Sequence, residues 1–289
     1  MKVNIGTYSF GMRSPMSLED KIKKAKEIGY DGVELLANDL QNNSTADIKK
    51  WLTENGMAFY DAHCSMEQVE EVLPMIKELG GFCATVAMHP FSNKAEALEV
   101  AKMLNAHGET AKKMGMKVGY HNHEYEFRMD EGKHILDYVI ENTNPDTVVF
   151  KLDCGWAAAG GCEVVEYIKK YSGRFAFIHA KENNENIGVG DPRPLNAPRP
   201  ARPPMQLDAD GNPIMTEEMK KMFAMMRERT KVQCKMGDAS SRIDWKAVRE
   251  ATEAQGIPCE WTVERENDYL DNIVECLKED CAWLKSNLK

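Results

Sequence analysis

Short apolar runs alternate along the chain with longer stretches in which apolar residues recur every three or four positions. The short runs read as strands and the longer ones as helices. Strands are predicted over 3–9, 32–36, 57–63, 83–89, 116–123, 147–153, 174–181 and 259–264. Helices are predicted over 17–28, 44–55, 66–79, 93–114, 131–142, 162–171, 244–255 and 269–288. Ser17 is placed to cap the first helix, Glu19 and Asp20 fall in its first turn, and Gly29 ends it. Eight strand–helix units predict an α/β chain, a single (β/α)8 TIM barrel over residues 1–289. A doubly wound sheet would open on a glycine-rich first turn of the GxGxxG kind. The first turn here, Phe10-Gly-Met-Arg-Ser-Pro, is not of that kind.

One segment breaks the rhythm. Residues 182–243 separate strand seven from the next helix, and the run 188–213 carries prolines 192, 194, 198, 200, 203, 204 and 213. Residues 216–231 then read as an amphipathic helix with Met219, Met222, Phe223 and Met226 on one face. Loops longer than about 12–15 residues are usually functional. A loop after a barrel strand sits on the catalytic face, so this long Pro-rich insertion is expected to act as a lid or as an arm for a homo-oligomer.

Composition narrows the class. Hydrophobic residues are 43% and charged residues 29% of 289, a globular balance. The net charge of -9 disfavours a nucleic-acid partner, and no apolar run is long enough for a membrane span. The run 1–4 leads into a strand without a signal-peptide pattern, so the expected setting is cytoplasmic. The eight cysteines form no CxxC pair and are expected to be buried free thiols.

The chemistry lies at the strand ends. Strand two carries Glu34; strands three and four end in His63 and His89. Strand five ends Tyr120-His-Asn-His, strand six Lys151-Leu-Asp, strand seven His179-Ala-Lys and strand eight Glu264-Arg-Glu. Five of the seven histidines lie there, so one rim of the barrel is lined with ligand-type side chains. Side chains alternate along a strand. His121 and His123 therefore share a face, as do Lys151 and Asp153, His179 and Lys181, and Glu264 and Glu266. Carboxylates brought together repel unless a proton or cation lies between them. Asp153, His179, Glu264 and His121 are the candidate ligands of one divalent metal, and the Asp/Glu/His mix suits Mn, Zn, Co or Mg. Each has a structural alternative: Asp153 as a helix cap, His179 as a hydrogen-bonded core residue, Glu264 as the partner of Arg265 or Arg242. Lys151 is placed to pair with Glu260, or to act as a nucleophile.

These residues, in this order, resemble the sugar phosphate isomerase/epimerase family of xylose isomerase-like TIM barrels. The resemblance runs over nearly the whole chain. It is carried by Ile28-Gly-Tyr-Asp-Gly-Val-Glu-Leu, Gly119-Tyr-His-Asn-His-Glu-Tyr-Glu-Phe, Lys151-Leu-Asp-Cys-Gly-Trp with Gly160-Gly161, Phe177-Ile-His-Ala-Lys and Thr262-Val-Glu. It implies one divalent metal on a strand-five Glu, a strand-six Asp, a strand-seven His and a strand-eight Glu. Asp153, His179 and Glu264 match that pattern. His121 stands in the place of the strand-five Glu, with Glu124 and Glu126 just above as replacements. In the epimerases of the family two metal-bound glutamates move the proton, and here only Glu264 matches. The DNA-repair endonucleases of the same superfamily need more histidines, and Trp156 stands where one would be wanted.

The expected function is therefore a metal-dependent isomerase or epimerase acting on a keto- or polyhydroxy-carbohydrate through an enediolate. Expulsion of a β-substituent from that intermediate gives the runner-up, a lyase or dehydratase. The candidate catalytic residues are His123, Glu264, Glu126 and Lys181. The candidate substrate contacts are Glu34, His63, Trp156 and Tyr8. Lesser alternatives are a Schiff-base aldolase using Lys151 and a non-catalytic carbohydrate-binding subunit.

Overall fold

A computed structural model describes residues 1–11, 14–190, 195, 206–207, 213–214, 216–266 and 272–288. Eight parallel strands close into a barrel, each hydrogen-bonded to its sequence neighbours and the last to the first. They are β1 Asn4–Gly6, β2 Gly32–Leu36, β3 Ala58–Cys64, β4 Cys83–Val86, β5 Lys117–His121, β6 Val148–Asp153, β7 Phe175–Ala180 and β8 Glu260–Val263. The first helix, Leu18–Ile28, shows why these segments fold as they do. Ser17 Oγ accepts the Asp20 N–H at 3.1 Å, Leu18, Ile22 and Ala25 form the buried stripe, and Gly29 takes φ 110° to end it. No helix among the described residues is long and apolar enough to cross a membrane.

Alternation along the strands fills the barrel in layers. Cys83, Val149 and Phe177 make an apolar floor, and Phe82 stacks on Phe177 at 5.3 Å. Two residues higher on the same strands come Thr85, Lys151 and His179. Asp153 lies level with His179 across β6 and β7, and His179 with Thr262 across β7 and β8.

Several elements differ from their predicted bounds. The first strand stops at Gly6, and Thr7–Phe10 coils into a 3-10 turn. Strand five ends at His121, which leaves His123 in the following loop. The predicted helix 131–142 begins only at Ile135. A hairpin of Met129–Asp130 with Lys133–His134 precedes it, turning through Glu131 at φ 44° and Gly132 at φ 82°. A short helix, Cys154–Ala159, intervenes before Val164–Lys170. Within the insertion, Glu182–Asn183 pairs antiparallel with Gln233–Cys234, Gln206–Leu207 pairs with Pro213–Ile214, and a helix spans Glu217–Thr230. The prolines between 192 and 204, and the side chains of Met219, Met222, Phe223 and Met226, lie outside the described residues.

Candidate active site

The middle of the barrel is closed by charge. Lys151 Nζ donates to Glu34 and, at 2.6 Å, to Asp61 Oδ2, which also accepts from Thr85 Oγ1 at 2.7 Å. The ammonium rests 4.8 Å from the centre of the Phe177 ring. Burial would favour the neutral amine, but Asp61 and Glu34 outweigh it and hold the Lys151 pKa above its ordinary value. An amine held protonated is in the wrong state for Schiff-base chemistry. Its carboxylate partners are thus Asp61 and Glu34, and not the expected Glu260.

Glu34 is the hinge between this layer and the next. It accepts from His179 Nε2 at 2.9 Å, and its other oxygen faces His63 Nε2 at 3.3 Å and Tyr8 Oη at 3.4 Å. Glu34, His63 and His179 lie close enough together to hold a cation. The Lys151 ammonium, bonded to Glu34 and 3.3 Å from His63 Nε2, already plays that part.

Above them one ligand atom from each of His121, Asp153, His179 and Glu264 lies within 4.8 Å of the others. His121 Nε2 is 3.5 Å from both Asp153 Oδ2 and Glu264 Oε2. His179 Nδ1 is 3.7 Å from Asp153 Oδ2 and in contact with Glu264 Oε2. All four residues are buried, and these four facing atoms have no hydrogen-bond partner. Their remaining atoms are all engaged. His121 Nδ1 lies 3.1 Å from the Ala87 carbonyl and His179 Nε2 on Glu34, so each ring turns its other nitrogen inward. Asp153 Oδ1 caps the helix Cys154–Ala159 through the Trp156 N–H at 2.7 Å, which leaves Oδ2 inward. Asp153 is thus both the helix cap and a member of the cluster.

Burial would raise the carboxyls of Asp153 and Glu264. Lys181 Nζ, 3.2 Å from each, outweighs it and holds both below the usual carboxylate range. Lys181 also reaches Glu266 at 2.8 Å. Three carboxylates against one ammonium leave two negative charges, and Asp153 and Glu264, with Glu34 for His179, outweigh burial and hold the His121 and His179 imidazoles above their ordinary pKa. Four inward donor atoms without partners, with that surplus charge and without cysteine, fit a divalent cation.

The mouth is built by other elements. The His123 ring lies 4.9 Å from that of His121 and 6.1 Å from Trp156. Burial, with His121, Arg229 and Lys181 nearby, holds His123 well below the usual imidazole pKa. Lys181 Nζ and the Arg229 guanidinium lie 4.6 and 4.4 Å from the centre of the Trp156 ring. Arg229 belongs to the insertion helix Glu217–Thr230 and pairs with Glu124.

Of the sequence-derived residues, His121, Asp153, His179, Glu264 and Lys181 therefore come together. His123 and Trp156 border them, and Glu34, His63 and Tyr8 lie beneath. Glu126 turns away: it accepts from the His123 N–H at 2.8 Å and Tyr120 Oη at 2.9 Å, and burial pushes its carboxyl up to about 7. Arg13, Arg199 and Arg202, whose cationic side chains suit a substrate phosphate, lie outside the described residues. Three supporting residues escaped the sequence reading. Asn122 ties β5 to β6, accepting from the Asp153 N–H at 3.0 Å and donating to the Asp153 carbonyl at 3.2 Å. Asp61 was legible from its period-two spacing with His63. Arg229 carried no signal in its helix.

Comparison with known proteins agrees with this architecture. The model of the family described as xylose isomerase-like TIM barrel matches residues 22–287. An inosose dehydratase from Clostridium tetani is 31% identical over 101 residues, 34% of this chain and 32% of that protein. A second, from Lactiplantibacillus plantarum, is 32% identical over 96 residues, 32% of this chain and 30% of that protein. The matches thus span about a third of the length of these curated relatives. A sugar phosphate isomerase/epimerase from Parabacteroides distasonis superimposes with a TM-score of 0.74 at 21% identity, over 100% of this chain and 95% of that one. With its closed barrel and a family match over nearly its full length, the chain belongs to the xylose isomerase-like TIM barrel family.

Proposed function

We propose that the protein is a divalent-metal-dependent lyase that removes the proton beside the carbonyl of a polyhydroxy ketone and expels a β-hydroxyl as water. The observation that carries this reading is the cluster of four buried donor atoms without partners, in which His121 occupies the position of a second carboxylate. His121, Asp153, His179 and Glu264 would hold the cation. Once bound, it supplies a Lewis acid for a carbonyl oxygen and the neighbouring hydroxyl, making the C–H between them more acidic.

The protein's own groups do the rest. Glu264 is the base, and its Oε1, kept ionised by Lys181, takes the proton. Lys181 offsets the charge that gathers on the substrate oxygens. His123, held neutral and with Nδ1 unpartnered among the described residues, hydrogen-bonds the β-oxygen, which departs as water with the proton that Glu264 took up. Glu34 fixes the His179 ring and Asn122 fixes the Asp153 backbone. The local similarity to inosose dehydratases supports elimination, with a cyclic polyhydroxy ketone as the substrate class.

A second reading, isomerisation or epimerisation, uses the same deprotonation and returns the proton elsewhere. The Lys181 ammonium beside Glu264 is the observation that favours it, since it offers a donor. Incubation of the metal-loaded protein with 2-keto-myo-inositol and a panel of ketoses in deuterated water separates the outcomes. Elimination gives a product lighter by one water, and Glu264→Gln stops both exchange and product. An isomeric product that keeps every oxygen and is heavier only by its carbon-bound deuterium selects the second reading. Neither a product nor exchange from any ketone would refute both.

A further inference from the structure

Beyond the donor cluster, Asn183 stands out among the described residues, because both polar atoms of its side chain are without a partner and it has no part in the chemistry above. Asn183 is completely buried, and neither its carboxamide oxygen nor its nitrogen makes a hydrogen bond. Such groups are rare in folded proteins because each is costly to leave unsatisfied.

Its place in the fold says where it points. Along β7 and just past its end, His179 and Lys181 turn into the barrel mouth. Glu182 turns the other way, bonding Ser241 Oγ at 2.6 Å and Trp245 Nε1 at 2.5 Å. Alternation then returns Asn183 to the face of Lys181. The opposing strand agrees. Asn183 pairs with Gln233, whose carboxamide both donates to Glu266 Oε2 at 3.0 Å and accepts the Glu266 N–H at 2.9 Å. Glu266 Oε2 in turn accepts from Lys181 at 2.8 Å. Asn183 therefore lies on the same face as Lys181, Glu266 and Gln233, at the base of the insertion, and it alone of the four is unbonded.

We infer that Asn183 is a specificity residue that hydrogen-bonds a neutral hydroxyl of the substrate away from the reacting carbons. A carboxamide offers a donor and an acceptor in one plane, which matches a hydroxyl or a pair of adjacent hydroxyls and carries no charge to attract an anion. The Trp156 indole N–H and His123 Nδ1, also buried and unpartnered, border the same mouth and extend the neutral lining. The insertion thereby contributes to substrate choice through the strap at its base. This inference rests on the proposed action on a polyhydroxy ketone.

Calorimetric binding of 2-keto-myo-inositol and its monodeoxy analogues to the metal-loaded protein tests it, alongside wild-type turnover of the ketone. Asn183→Ala is expected to bind the ketone about tenfold more weakly. For one deoxy analogue, the one lacking the hydroxyl that Asn183 reads, wild type and variant should bind alike. Asn183→Leu supplies a readout that a structural asparagine would not give. Because no described residue bonds the carboxamide, its melting temperature without ligand should be unchanged or higher while its affinity falls. Equal affinity of wild type and Asn183→Ala for the ketone would overturn the inference. So would a uniform loss across every deoxy analogue, or a lowered melting temperature in Asn183→Leu. Wild-type turnover reports separately on the reaction: if the ketone is consumed while Asn183→Ala binds normally, only the role of Asn183 fails.

Discussion

The two oxygens of Asp153 have different work. Oδ1 caps a helix and Oδ2 faces three other donor atoms, so capping and membership of the donor cluster coexist in one side chain. The sequence presented these as alternatives, because a strand-end Asp before Cys-Gly-Trp fits both. Which oxygen goes where depends on χ angles that no motif encodes. The ligand-type residues were legible because period-two alternation assigns them to the barrel interior. Their depth was not. Glu34 and His63 read as substrate contacts, yet they surround Lys151 beneath the cluster. Glu182 shows the opposite case, a strand-end acid facing away from the site. Its carboxylate accepts from Ser241, Trp245 and the Gly237 N–H, and burial lifts it from 4.5 to about 7. Between about pH 4.5 and 7 the folded chain holds a proton there that the unfolded chain has released. This contribution to stability is therefore full below pH 4.5 and is lost as pH rises through 7. Glu182→Gln keeps the shape, since Ser241 can accept as well as donate. It should flatten that part of the stability–pH curve and gain on the order of 2 kcal/mol over wild type at pH 8. Urea unfolding at pH 5 and pH 8 measures it; parallel curves for the two proteins would refute the assignment.

Eight strand–helix units could be read from apolar periodicity because each element buries a stripe of its own. The misses share a cause: tertiary contacts outvoted local pattern. Cys154–Ala159 looks like a glycine turn running into an apolar stretch, but with Asp153 as cap it winds into a helix packed on Lys181. That packing requires a glycine. A Cβ at Gly155 would stand 2.6 Å from Lys181 Cγ and 2.7 Å from its carbonyl oxygen. Gly155→Ala should cost about 1–3 kcal/mol in urea unfolding and displace Lys181, weakening the site as well. A variant of unchanged stability and activity would show that the close approach does not matter. The insertion was legible as an interruption and not as a structure. Its helix reaches the mouth through Arg229 on Trp156 and Glu124, contacts between residues 73 and 105 positions apart in sequence.

For the whole molecule, the closed barrel matters because it brings residues from four strands, with little help from local sequence, onto one point. Lys151 offsets one of the two carboxylate charges below that point, and Lys181 one of the three above it. The surplus negative charge and the unpartnered donors are the features of the molecule that a divalent cation would complete. Metal content by inductively coupled plasma mass spectrometry is the most direct test, comparing wild type with His121→Ala and Asp153→Asn. Asn keeps an oxygen for the helix cap while removing the charge. The account predicts about one divalent metal per folded wild-type chain and its loss in both variants, with the variants still folded by circular dichroism. A wild-type protein that carries no metal and takes up none on titration, or an Asp153→Asn protein that keeps a full complement, would contradict it.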